Sequence, residues 1–232
     1  ANCMNNNEDA IGTTDDSSLS FGRRCGLFAA IAIVGLVFDL WSKSYMFAKL
    51  GLPGKRPFEL WWVIEDFFGF QTAVNQGALF GIGQGGSSYF AMFSGVALLA
   101  IAFWFIKSEG WKSRWLTVCL AAVTAGILGN LYDRLGLWHP TGILGDLYDY
   151  LGLWRPVGMN GLPTDTFAAD YSNFTYGVRD FILFTYQGHV WPNFNIADCL
   201  LVCGAIMLGI SSFRQEATDK QSKTTENEME AT

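Results

Sequence analysis

The chain has 232 residues, of which 50% are apolar and 16% aromatic, and only 16% are charged, well under the roughly 25% charge of soluble domains. That composition excludes an ordinary soluble globular domain, and the net charge of −6 without a continuous basic stripe excludes a nucleic-acid partner. Five scattered cysteines (Cys3, Cys25, Cys119, Cys199, Cys203) and two histidines (His139, His189) form neither a disulfide framework nor a His-Glu-x-x-His site, so no metal and no other cofactor is expected.

Four apolar windows are long enough to cross a bilayer, which takes about 20 helical residues: roughly 26–47, 89–106, 115–132 and 194–213. They define a four-span membrane domain over 23–213, flanked by polar stretches, 1–22 and 214–232, that read as disordered tails. The first window follows Arg23-Arg24 but carries Asp39 and Lys43 where a signal-peptide cleavage site would lie, so it reads as a retained span. Lys107, Lys112 and Arg114 crowd the link between spans two and three, and Arg214, Lys220 and Lys223 follow span four. Local basic residues mark the cytoplasmic side. Both termini are therefore expected in the cytoplasm, with the connections 48–88 and 133–193 on the outer side.

Span one ends Asp39-Leu-Trp-Ser-Lys43, a spacing that puts both charges on one helix face as a possible anchoring ion pair. A Gly- and Pro-punctuated turn leads into Phe58–Phe70, where aromatic, β-branched and acidic residues mix without a helical period. Strands or a surface-lying segment fit that pattern, as a platform over a membrane site. Asn75-Gln-Gly77-Ala-Leu-Phe80-Gly81 then opens a Gly-rich stretch. It lacks the Gly-Lys-Ser/Thr of a phosphate loop and reads as flexible backbone near a cavity.

Span three runs into Gly129-Asn130-Leu-Tyr-Asp133-Arg134, with Asn130 and Arg134 four apart and Asp133 beside them, a candidate polar network at the span's outer end. Residues 125–140 are then repeated at 141–156 with 12 of 16 positions identical, a local duplication and not a repeat array. The second copy has Asp146 for Asn130 and Tyr150 for Arg134, so it lacks the forked guanidinium. We take the first copy as the working one and about 141–176 as an insertion.

Two carboxylates remain at the outer membrane surface: Asp180 inside Val178–Phe184, and Asp198 at the mouth of span four, after Phe194-Asn195-Ile-Ala. An intramembrane acid is a functional-site hypothesis by default. Two carboxylates close together in a dry site share a proton and can act as base and acid on an amide. Interfacial anchors, or a proton relay through Asp39, Asp180 and Asp198 in a small ion-coupled transporter, remain open on chemistry alone. A serine or cysteine mechanism lacks a histidine partner near a span mouth.

The ordered set Asp39-x-x-x-Lys43, Asn75-x-Gly77-Ala78-x-Phe80-Gly81, Gly129-Asn130-Leu131-x-Asp133-Arg134, Val178-x-Asp180-Phe181-Ile182 and Phe194-Asn195-Ile196-Ala197-Asp198 resembles the lipoprotein signal peptidase (signal peptidase II) family over about 26–213. The resemblance implies an all-α membrane bundle of four transmembrane helices carrying a small extracytoplasmic β-rich cradle, with 58–70 in the cradle. It implies an aspartic endopeptidase of the bacterial inner membrane, acting near the outer face on diacylglyceryl-modified prolipoproteins within membrane lipid and cutting before the lipidated cysteine. Asp180 and Asp198 would be the catalytic dyad; Asn75, Gly77, Asn130, Asp133, Arg134 and Asn195 would line or hold the site; Asp39 and Lys43 would support it. Two departures stand out: Asp133 and Asp180 are 47 positions apart where the family has a short turn, and Arg179 precedes Asp180 where an apolar residue is usual. A guanidinium pointing into the site would favour the ionised form of Asp180.

Overall fold

The computed structural model describes residues 21–53, 60–77, 86–107, 110–138 and 176–230, with side chains as far as Phe213 in the last helix. Most of two expected features lies outside the described residues, the first tail (1–22) as far as residue 20 and the insertion (about 141–176) as far as residue 175, as does His139. Four helices, α1 (Phe21–Leu50), α2 (Ser87–Lys107), α3 (Arg114–Arg134) and α4 (Ile196–Glu230), are each long and apolar enough to cross a membrane. In α4 that apolar part is Ile196–Phe213. The helix continues to Glu230 through a polar stretch where composition led us to expect disorder; Gln, Glu, Lys and Ala favour helix there, and no Gly or Pro interrupts them.

Helix α3 is the centre of the bundle, packed against α1, α2 and α4. Between apolar helices in lipid, close approach and van der Waals packing take the place of a hydrophobic driving force, so small residues are needed where backbones meet. A Cβ on Gly126 would lie 2.5 Å from the Ala197 carbonyl and 2.7 Å from Leu201, and one on Gly204 2.6 Å from Val123. Gly35 of α1 faces Ala125 in the same way. The outward faces are apolar and open, with Val34, Leu99 and Phe103 about two-thirds exposed or more, as a lipid-facing surface requires.

The helix ends at one pole of the bundle are closed by specific chemistry. Gly51 (φ 77°) ends α1 in the left-handed conformation, its N–H bonded to the Phe47 carbonyl at 3.0 Å. Gly136 (φ 67°) ends α3 in a double-bonded cap, Gly136 N–H to Asp133 O at 2.9 Å and Leu137 N–H to Tyr132 O at 3.2 Å. Asn130, Asp133 and Arg134 therefore occupy the last, well-terminated turns of the central helix.

Over that pole lies a four-stranded antiparallel sheet, β1 (Trp61–Ile64), β2 (Phe68–Asn75), β3 (Val178–Tyr186) and β4 (His189–Val190), in sequential order. The aromatic stretch expected to form a platform supplies β1 and β2, and strands win there over a surface-lying helix. The β2–β3 register sets Phe68 opposite Phe184, Ala73 opposite Asp180 and Asn75 opposite Val178. Gln187 and Gly188, both with positive φ, make the two-residue turn into β4, the backbone hand that matches strand twist. Phe181, Ile182, Phe47, Leu52 and Trp138 form the apolar layer between sheet and helices.

Candidate active site

The start of α4 is tied to β3 by the backbone. Phe194 O accepts the N–H groups of Phe181 and Ile182 at 3.0 and 2.9 Å, and Phe194 N–H returns to Ile182 O at 3.2 Å. Asn195 is thereby fixed beside Asp180, and it begins the helix that carries Asp198. Asn195 and Asp198 cap each other: Asp198 N–H donates to Asn195 Oδ1 at 3.0 Å, and Asn195 N–H donates to Asp198 Oδ2 at 3.2 Å. This is a capping box with aspartate in the acidic place. Asp39 caps the same helix end from α1, accepting Ala197 N–H at 2.8 Å.

The Asn195 amide also reaches across. Its Nδ2 donates to Asp180 Oδ1 at 2.6 Å and to Asn130 Oδ1 at 3.3 Å. Lys43 Nζ donates to the same Asn130 oxygen at 3.1 Å. With its oxygen so engaged, Asn130 turns its Nδ2 to Asp198 Oδ1 at 2.8 Å. Two asparagines thus hold the two carboxylates, one amide on each, and Lys43 fixes which way the Asn130 amide faces.

Asp180 is 2% exposed. Burial, and then the charge of Asp198, holds its carboxyl well above the ordinary carboxylate value.

Behind the pair runs a chain of buried ions. Lys43 Nζ lies 2.8 Å from Asp39 and 3.1 Å from Asp133. The Arg179 guanidinium lies 2.8 Å from Asp133, and Arg179 Nε and its backbone N–H each donate to that carboxylate at 3.0 Å. Two acids and two bases alternate, so a region that could not bear a lone charge carries four. Arg179 therefore does not point at Asp180. Successive strand residues face opposite sides of a sheet, and on β3 Arg179 faces Asp133 and the Trp138 ring, 5.1 Å away, while Asp180 faces Asn195.

A cavity of about 330 Å³ opens in front of the carboxylates. Asn75, Asn130, Arg134, Asp180 and Asp198 contribute polar groups to its lining; Phe90, Phe93 and Ala97 of α2, Ile127 of α3 and Leu201 of α4 contribute apolar wall, and the segment 191–194 before α4 lines it too. Arg134 stacks on Phe90 at 4.9 Å and donates to Gly77 O at 2.7 Å. Gly77 is held in turn by an Asx turn, its N–H donating to Asn75 Oδ1 at 2.9 Å.

The structure brings together Asp180, Asp198, Asn75, Asn130 and Arg134 at the cavity, Asn195 and Gly77 bracing it, and Asp39, Lys43 and Asp133 behind; Ala78, Phe80 and Gly81 of the glycine-rich motif lie outside the described residues. Sequence reasoning missed the structural parts of Arg179 and Ser44, whose hydroxyl receives the guanidinium at 3.3 Å. An arginine in a strand pressed against a span end was the available signal. A buried guanidinium needs a carboxylate partner, and Asp133 at the end of α3 supplies it.

A family model described as signal peptidase (SPase) II matches residues 31–214. A lipoprotein signal peptidase of Rhodopirellula baltica is 44% identical over 191 residues, 82% of this chain and 73% of that protein. A second, from Pseudomonas fluorescens, is 30% identical over 203 residues, 85% of this chain and 92% of that protein. Among solved structures, a bacterial membrane enzyme determined by the in meso method at 2.3 Å shares the fold with a TM-score of 0.58 and 24% identity, over 83% of this chain and 91% of that one. Another, at 1.9 Å, gives a TM-score of 0.53 and 26% identity, over 80% and 92%. Four apolar helices, a match over most of the span-bearing region and a relative at 44% identity lead to one conclusion: the chain belongs to the signal peptidase II family.

Proposed function

We propose that this protein is a prolipoprotein signal peptidase, an aspartic endopeptidase that cuts before the diacylglyceryl-modified cysteine, with Asp180 and Asp198 as its catalytic pair. The observation that carries the aspartic mechanism is the Asn195 amide donating to Asp180 Oδ1 at 2.6 Å from the residue that caps Asp198. Two carboxylates held that way, with one proton between them, are equipped to add water to an amide.

The roles follow from the surroundings. Asp198 accepts Asn130 Nδ2 and Asn195 N–H at the positive end of α4, which suits the member that takes a proton from the attacking water. Asp180, buried and pushed upward, suits the member that donates to the carbonyl oxygen and then to the leaving nitrogen. Arg134 and Asn75 line the cavity, where substrate backbone needs donors and acceptors, and Gly77 holds both of them in place.

The cavity is lined by α2, α3 and α4, and Ile127 and Leu201 lie one helical turn from Asn130 and Asp198 into their spans. A lipidated signal peptide would enter sideways from the bilayer, its acyl chains and apolar segment staying against Phe93, Ala97, Ile127 and Leu201. Arg23, Arg24, Lys107, Lys112 and Arg114 gather at the bundle pole opposite the sheet. By the positive-inside tendency that pole is cytoplasmic, which puts the sheet and the cleavage site at the outer face of a bacterial inner membrane. A transporter relay is not favoured: Asp39 is locked to Lys43 and to the α4 N-terminus, where a relay needs a group free to exchange protons.

The test is cleavage by purified, detergent-solubilised protein of a diacylglyceryl-cysteine prolipoprotein beside its unlipidated form. Conversion of the lipidated substrate alone is expected. Equal conversion of both forms, or none by folded enzyme, would overturn the reading.

A further inference from the structure

The mechanism above uses Asp180 and leaves Arg179 idle, yet Arg179 is the more heavily bonded of the two. It is 4% exposed. Its Nε, its Nη2 and its own backbone N–H all converge on the Asp133 carboxylate at 3.0, 2.8 and 3.0 Å. Its Nη1 donates to Ser44 Oγ of α1 at 3.3 Å, and its Cζ lies 5.1 Å from the centre of the Trp138 ring just beyond α3. One side chain therefore joins β3 to α3 and α1, at the strand position immediately before the proposed acid.

We infer that Arg179 is a positioning residue for Asp180: by clamping β3 onto Asp133 it fixes the strand face from which Asp180 meets the Asn195 amide. The inference rests on the proposed aspartic mechanism. Its physical basis is strand geometry. Adjacent residues of a strand point to opposite faces, so a clamp on one face sets the height and rotation of the next residue on the other. The Asp133 carboxylate grips both the backbone N–H and the side chain of Arg179, so the strand cannot slide or roll without breaking several charge-assisted bonds at once. A forked guanidinium does this more fully than an ammonium, which would keep the charge but not the parallel donors in one plane. The clamp also neutralises: Arg179 is the second cation of the Asp39, Lys43, Asp133 and Arg179 series, and without it Lys43 alone would face two buried carboxylates.

The experiment compares wild type with Arg179→Met, Arg179→Lys, Asp133→Asn and the double variant Arg179→Met/Asp133→Asn. It uses two readouts. The first is kcat and KM for the lipidated substrate, per folded enzyme. The second needs no turnover: the infrared band of the Asp180 carboxyl or carboxylate, identified as the band lost in Asp180→Asn. For Arg179→Met a kcat lower by about 10- to 100-fold is expected, the range that a misplacement of about 1 Å produces. KM is expected to stay within about threefold, because the clamp touches no substrate, and the Asp180 band is expected to shift. Arg179→Lys should recover part of both effects. The double variant should regain stability over Arg179→Met, since no buried carboxylate is left unpaired, while its kcat stays low. An unmoved Asp180 band in Arg179→Met would overturn the inference whether or not the enzyme turns over. So would recovery of kcat together with stability in the double variant, which would assign Arg179 to folding alone. Failure of folded wild type to cleave counts against the proposed function and leaves the infrared result to decide the clamp.

Discussion

Asn195 joins the two acids: its Nδ2 donates to Asp180 Oδ1 at 2.6 Å while its Oδ1 accepts the Asp198 N–H at 3.0 Å. One amide thus serves as helix cap and as spacer between carboxylates that the chain supplies from a strand and a helix. Asn195→Ala is expected to lose about 1 kcal/mol of stability as a missing N-cap. Activity should fall further, by about 100-fold, because the pair loses its fixed separation. Thermal unfolding in detergent and the cleavage rate of the same preparation separate the two.

The pH dependence follows from Asp180. Burial and then the Asp198 charge hold its carboxyl well above 3.8, so the folded protein keeps a proton that the unfolded chain releases. A group raised in this way contributes stability below its unfolded value and loses that contribution as pH rises through its folded value. Wild-type stability should therefore decline as pH rises from the unfolded value of 3.8 towards the raised folded value and level off beyond it, whereas activity declines on the alkaline side as the shared proton is lost. Asp180→Asn should flatten the decline in stability. Melting temperature against pH for both proteins is the measurement.

Lys43 lies between Asp39 and Asp133 at 2.8 and 3.1 Å, all three fully buried. Lys43→Met removes one charge from a paired set and should cost about 3–5 kcal/mol. Adding Asp39→Asn should return part of that loss, since a neutral amide replaces the stranded carboxylate. Unfolding of the single and double variants reads the difference.

Gly129 faces the Asp39 carboxylate and lies where a new Cβ would also meet the Ala197 methyl at 3.2 Å. Gly129→Ala is expected to destabilise by about 1–3 kcal/mol through overpacking, against the helix preference for alanine. Gly95 on α2 has open space around it. Gly95→Ala should be neutral or slightly stabilising, which makes it the control in the same melting assay.

Much of this site was legible because its spacings are local. Asp39 and Lys43 at four apart, Asn130 and Arg134 at four apart, and Asn195 with Asp198 at three are helix-face and helix-cap relations that sequence states directly. The four spans follow equally from length and apolarity. The pairing of β2 with β3 was not legible. Ala73 meets Asp180 across more than a hundred residues, and an apolar run such as Val178–Phe184 does not by itself distinguish strand from buried helix. For the same reason the direction of Arg179 was open until strand alternation turned it from Asp180 toward Asp133. The double use of Asn195 was hidden too, because a cap motif shows what it bonds within its helix and not what it reaches beyond it.

The most direct measurement is mass spectrometry of the product formed from a diacylglyceryl-cysteine prolipoprotein by wild type, Asp180→Asn and Asp198→Asn, each folded in the same detergent. For the wild type, a product beginning at the lipidated cysteine is expected. Both variants should lose about 10²- to 10⁴-fold in rate or more, the contribution of a general acid or base. A wild-type product cut elsewhere, or near wild-type turnover in either variant, would contradict the assignment of Asp180 and Asp198 as the catalytic pair.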